Sequence, residues 1–119
     1  QEDTALVLFY QAYLHSQLQE WESVESLLSR AIALSPEVKE YFNLRGVSRF
    51  KAKNYMNAAA DFEAALALDS GSAMDLANLG LCHKFMGHTQ AAQEFLSKAL
   101  EMDPGLDFAR EQLKDILPK

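Results

Sequence analysis

The chain has 119 residues, of which 49% are hydrophobic and 24% charged, with a formal net charge of −6. That is enough for one ordinary domain or a short solenoid, and too apolar for a disordered chain. The acidic balance argues against a nucleic-acid or anionic-membrane binder, both of which need a basic face, and no apolar run approaches the ~20 residues of a membrane span.

The elements follow in chain order. Thr4 to Gln17 has no Gly or Pro, and Leu6, Leu8, Phe9, Ala12, Tyr13 and Leu14 recur at three- and four-residue steps, which predicts a helix with Asp3 or Thr4 as its N-cap. Leu18 to Glu20 carries a turn. A second helix runs from Trp21 to Leu34 and buries Trp21, Val24, Leu27, Leu28, Ala31 and Ile32. Ser35-Pro36 stops it and starts a third, from Glu37 to Lys53, with Pro36 at its first helical position. Asn54 is the expected cap of a fourth helix reaching Leu68. Residues 69–72 have turn chemistry, and Ser72 with Asp75 resembles a capping box. A fifth helix runs to Met86, where Gly87 suits a left-handed C-terminal cap. The sixth covers Thr89 to Met102. Asp103-Pro104 repeats the stop-and-start signal before a seventh helix, Leu106 to Leu117. Its single apolar stripe, Phe108, Ala109, Leu113, Ile116 and Leu117, leaves one wet face, as the open end of a stacked array requires. No strand pattern appears. The chain begins at Gln1 and is read as a piece of a longer protein. Pro118-Lys119 is read as its edge or the start of a linker.

The stretch Leu76-x-x-Leu79-Gly80-x-x-His83, Ala92-x-x-x-Leu96, Ala99, Pro104 returns 34 residues earlier as Phe42, Gly46, Ala58, Phe62 and Ala65. It returns again as Leu8, Ala12, Val24, Leu28, Ala31 and Pro36. A fixed period of this length marks a repeat architecture. Within each unit the first helix carries one small residue, Ala12, Gly46 or Gly80. The second carries Val24, Ala58 or Ala92 and then Ala31, Ala65 or Ala99. Small residues let two helices approach, and Leu28, Phe62 and Leu96 fill the space beside them. Glycine inside a helix costs roughly 0.5–1 kcal/mol relative to alanine, so two of them in register indicate a shared steric need.

On these residues the chain resembles the tetratricopeptide repeat (TPR) family, whose pattern is W-x2-L-G-x2-Y…A-x3-F…P. The match covers residues 5–38, 39–72 and 73–106 and a capping helix at about 106–117, with departures at Gln11, Ala12, Arg45 and Ser70. The resemblance implies an all-α fold, a right-handed α-solenoid of three antiparallel helix-turn-helix hairpins closed by a seventh, capping helix. The first helix of each hairpin would line a concave face.

The chain carries no phosphate loop, H-E-x-x-H, C-x-x-C or G-x-S-x-G, and its carboxylates are scattered. No catalytic residue, cofactor or metal site is therefore expected, and the chain is not read as an enzyme. His15 and His83 share one repeat position with Arg49 between them, and are read as packing residues rather than as a pH-sensing or metal-binding column. Cys82 is read as a small hydrophobe.

Helical spacing and the resemblance together place a partner-binding groove on Leu6, Phe9, Tyr10, Tyr13 and Gln17 of the first unit. The second unit adds Glu40, Asn43, Val47, Phe50 and Lys51, and the third adds Met74, Asn78, Leu81, Lys84 and Phe85. Aromatic and apolar side chains exposed in one patch mark an interaction surface. Phe9, Tyr13 and Phe85 are expected to face the groove, with Tyr10, Val47 and Phe50 divided between groove and packing. Relatives that hold extended peptides often use an Asn ladder. Here only Asn78 matches it, Tyr10 and Leu44 standing at the other places. The family's two-carboxylate clamp for chaperone C-termini maps onto Phe9, Tyr13, Leu44, Met74 and Asn78, none of them basic, so that clamp is not expected. Lys39, Arg45, Arg49, Lys51 and Lys53 form a basic strip in the second unit, either a solvated face or a dock for an acidic partner.

The expected function is a protein-interaction module that takes a peptide or amphipathic helix. A dedicated chaperone resembling those of type III secretion, and a self-associating domain or homo-oligomer, stand as alternatives. No nucleic acid and no membrane insertion are expected, and a cytoplasmic location is favoured.

Overall fold

A computed structural model of the chain describes residues 2–118, so Gln1 and the Lys119 end of the expected linker lie outside the described residues. It contains seven helices and, among the described residues, no strand. These are α1 (Glu2–Gln17), α2 (Trp21–Leu34), α3 (Lys39–Lys51), α4 (Tyr55–Leu68), α5 (Ala73–Phe85), α6 (Thr89–Met102) and α7 (Asp107–Ile116). Each pairs with the next, and α1 also touches α3, as α5 touches α7. The result is an elongated body of 49 × 25 × 21 Å built from three hairpins and a closing helix.

The hairpin turns are superimposable in chemistry. Gln19, Lys53 and Gly87, spaced by 34, all have positive φ, at 58°, 66° and 83°. The next amides, of Glu20, Asn54 and His88, donate to the carbonyls of His15, Arg49 and His83. The amides of Gln19, Lys53 and Gly87 donate to those of Ser16, Phe50 and Lys84. This is the two-bond Schellman arrangement, and it satisfies carbonyls that the helix end would leave bare. Asn54 follows that turn with φ −93° and ψ 71°, nearly the angles of Glu20 and His88, and its side chain makes no capping bond. The backbone turn, and not the expected side-chain cap, starts α4.

The turns between units correct two further expectations. Ser35 and Asp103 are extended, at φ −141° and −140°, as residues before proline are driven to be. Pro36 and Pro104 then sit in the turn, three residues before α3 and α7 begin, rather than at a first helical position. Lys53, in the left-handed turn, lies beyond the end of α3. Ser72 Oγ accepts the Asp75 amide as a capping box requires. The Asp75 carboxylate does not reciprocate: Oδ1 accepts from the Asn43 side chain, and Oδ2 is buried with no partner among the described residues.

Packing follows the repeat. Ala12, Gly46 and Gly80 are buried, and so are Val24, Ala58, Ala92, Ala31, Ala65, Ala99, Leu28, Phe62 and Leu96. A Cβ built on Gly46 would lie 2.9 Å from the tip of the Phe62 ring, and one on Gly80 would lie 3.0 Å from Leu96 Cγ and 3.3 Å from the Ala92 carbonyl. Both glycines are therefore contact surfaces for the facing helix. Trp21, Leu27 and Ile32 are half-buried at the rim of the α1–α2 cluster rather than inside it.

Arg45 and Arg49 do not form a free basic strip. Asp61 on α4 is 3% exposed and accepts from both guanidinium groups, Arg45 also reaches Ser29, and Arg49 reaches Glu25 on α2. Lys39 pairs with Asp69 at 2.6 Å. The second unit's cations thus tie α2, α3 and α4 together, leaving Lys51 and Lys53 exposed.

Candidate binding groove

Alternate helices α1, α3 and α5 place their side chains on a common face, and that face carries two hollows. The first, about 230 Å³, is lined by Phe9 and Tyr13 of α1 and by Glu40, Asn43, Leu44 and Val47 of α3. The second, about 180 Å³, is lined by Val47, Phe50 and Lys51 of α3, Phe62 of α4, Asn78 and Leu81 of α5, and Phe108 of α7. Val47 borders both, so the two form one groove running across the three units. Its walls are mostly apolar, and the Asn78 amide and the Lys51 ammonium have no partner among the described residues.

Nine of the side chains expected on this face therefore line the hollows: Phe9, Tyr13, Glu40, Asn43, Val47, Phe50, Lys51, Asn78 and Leu81. Leu6 instead borders a separate hollow with Pro36, Val38 and Tyr41, beside the first inter-unit turn. Tyr10, Gln17, Met74, Lys84 and Phe85 line neither half of the groove. Phe9 is half-buried, its ring centroid 5.3 Å from that of Tyr41, so it serves packing as well. Phe85 joins an aromatic trio at the hairpin-turn end, stacked on Tyr55 at 5.2 Å and edge-on to Phe50 at 5.4 Å.

Two polar residues are engaged inside the molecule. Asn43 donates to Asp75, bridging the second and third units. Lys84 donates to Gln112 at 2.8 Å and to Asp115 at 2.6 Å, which fastens α5 to the capping helix. Leu44, Phe62 and Phe108 are lining residues that spacing alone does not single out. Phe108 was legible only as part of the α7 stripe. It reaches the groove because α7 folds back against α5.

The histidines act locally. His15 Nδ1 lies 2.6 Å from Glu20 Oε1, and His83 Nδ1 lies 3.1 Å from His88 Nδ1, each pair spanning its own hairpin turn. The His83 ring stacks on Phe95, and burial, followed by the His88 charge, holds its pKa below the usual value while Glu63 opposes. Burial pushes the Cys82 thiol up to about 12, so it has no thiolate for chemistry at neutral pH. Among the described residues no group of three or more His, Cys, Asp or Glu is placed to hold a metal, and no helix is long and apolar enough to cross a membrane.

Residues 76–106 match the tetratricopeptide repeat family. The chain is 27% identical over 97 residues to sperm-associated antigen 1 of Mus musculus, a match that takes in 82% of this chain and 11% of that protein. Its fold superposes on the first TPR domain of Spaghetti (RPAP3), solved with an HSP90 peptide, with a TM-score of 0.93 at 18% identity, over 98% of this chain and 92% of that one. It superposes equally on the second TPR domain of human RPAP3, solved with an HSP70 peptide, with a TM-score of 0.92 at 22% identity, over 98% and 97%. Residues 76–106 thus match a tetratricopeptide repeat, and the chain as a whole has the fold of TPR domains, three helical hairpins and a C-terminal capping helix.

Proposed function

We propose that this chain is a non-catalytic protein-interaction module that takes an apolar peptide segment or the apolar side of an amphipathic helix in the groove centred on Val47. TPR domains are in general interaction scaffolds, and two with this fold are solved with chaperone peptides. The observation that carries the reading is the junction of two apolar hollows at Val47, walled by aromatic side chains and fringed by the Asn78 amide. Such a groove anchors apolar side chains and leaves one polar group to set register.

The partner chemistry differs from that of a carboxylate clamp. The five clamp places hold Phe9, Tyr13, Leu44, Met74 and Asn78, and the nearby cation Lys84 is occupied by Asp115. An acidic C-terminal peptide would meet apolar walls in place of the charges that hold its carboxylates. Fluorescence anisotropy with labelled peptides tests this. An apolar amphipathic helix should bind, and Val47→Asp or Tyr13→Ala should weaken it at least tenfold without loss of helicity. Micromolar binding of the HSP90 C-terminal peptide would overturn the reading.

A further inference from the structure

The repeat supplies its own control for a second surface. Tyr41 and Asp75 stand at one repeat position, Ser48 and Cys82 at another, and all four are buried. In each case the preceding unit covers them. Tyr41 joins the cluster around Leu28, Ser48 donates to the Trp21 carbonyl, Cys82 packs with Phe62, and Asp75 accepts from Asn43. In the first unit these two positions hold Val7 and Leu14, which are 55% and 65% exposed. Tyr10 and Leu18 extend the exposed surface along the same side of α1. Thr4 to Gln19 contains no Asp, Glu, Lys or Arg, in a protein of net charge −6. An uncharged apolar strip rich in aromatics has the composition of an interface centre.

The surroundings restrict what covers it. The inter-unit turn precedes α3 and α5, whose first residues, Lys39 and Ala73, correspond to Ala5. At residues 2–4, where that turn would sit, the backbone is already helical. α1 therefore starts without the turn that opens α3 and α5. The capping helix at the opposite end exposes Asp107, Glu111 and Lys114, so head-to-tail stacking of copies would set charges against Val7 and Leu14. A two-fold arrangement avoids that contact, because it pairs the strip with itself.

We propose that α1 is a homodimer interface, with the strip of one copy lying against the strip of a second across a two-fold axis. Leu6, Val7, Tyr10, Tyr13, Leu14 and Leu18 are each between 45% and 69% exposed. Side chains of these sizes leave on the order of 100 Å² each in solvent, which approaches the ~800 Å² per partner of a standard interface. Contact through the uncharged stretch from Thr4 to Gln19 also keeps most carboxylates of the two acidic bodies apart.

Sedimentation of the full chain between 1 and 100 µM tests the proposal. The 13.3 kDa chain should sediment at twice its mass. Val7→Glu and Leu14→Glu, both outside the groove, should return it to monomer with unchanged helical circular dichroism. Tyr10→Cys, in the middle of the strip, should crosslink two copies on oxidation, since the native Cys82 is buried. Val47→Asp should remain dimeric, so loss of peptide binding and loss of dimer are separable. A wild-type monomer at 100 µM, or a dimer indifferent to Val7→Glu and Leu14→Glu, overturns the proposal.

Discussion

Arg45 and Asp61 meet through two parallel hydrogen bonds, Nη2 to Oδ1 at 2.8 Å and Nε to Oδ2 at 3.0 Å, across the α3–α4 hairpin. Arg49 adds a third at 3.1 Å to the same carboxylate. Removing the carboxylate leaves two part-buried guanidinium groups without their counter-charge. Asp61→Ala should therefore cost about 3–5 kcal/mol in urea unfolding. Arg45→Met with Asp61→Leu should cost much less than the sum of the single changes, because no uncompensated charge is left. Additive losses would show that the pair is not a unit.

Gly46 faces the Phe62 ring with no room for a methyl group. Alanine there gains roughly 0.5–1 kcal/mol of helix preference but overpacks the contact by about 1–3 kcal/mol. Gly46→Ala should lower stability by about 1 kcal/mol. Phe62→Leu in the same chain should reduce that penalty, since the first unit pairs Ala12 with Leu28 at these places. Chemical denaturation of the four proteins of this cycle measures the coupling.

Lys53 and Gly87 occupy the same left-handed turn position in neighbouring units. A side chain pays roughly 1–2 kcal/mol for that conformation, against which glycine loses more backbone entropy on folding. Lys53→Gly should raise stability by about 0.5–1 kcal/mol. Gly87→Ala should lower it by about 1 kcal/mol, although nothing lies within 4 Å of the added methyl. Thermal melts of the two variants should move in opposite directions.

His83 binds its proton less readily in the folded protein than in the unfolded chain, chiefly because it is desolvated and next because His88 is close. Its contribution to stability is whole above the ordinary histidine value of about 6.5 and is lost as pH falls from there through the lowered folded value. His83→Tyr should flatten the fall in melting temperature between pH 7.5 and 5. In His88→Ala the His83 proton titration followed by NMR should move upward, but not fully to the usual value, because burial remains.

Most of the architecture was legible because it rests on local spacing. The 34-residue period placed all seven helices, and α2 and α6 run from Trp21 to Leu34 and from Thr89 to Met102 as read. The errors fell where backbone geometry overrode residue preference. Gln19 and Lys53 adopt a left-handed conformation that only Gly87 announces. Pro36 and Pro104 hold turns instead of first helical positions.

The sequence by itself determined the repeat and the small-to-large packing rule of Ala12, Gly46 and Gly80. These follow from helical periodicity and side-chain volume, which are properties of neighbours along the chain. Tertiary structure decided which polar groups were already taken. Lys84 is bound by α7, Asn43 by α5, and Arg45 and Arg49 by Asp61, through contacts 12 to 32 positions apart that no local pattern encodes. It also brought Phe108 to the groove. Position in the stack, and not residue type, left Val7 and Leu14 in solvent while Tyr41 and Cys82 were buried. Burial at a repeat position depends on whether another unit lies beside it.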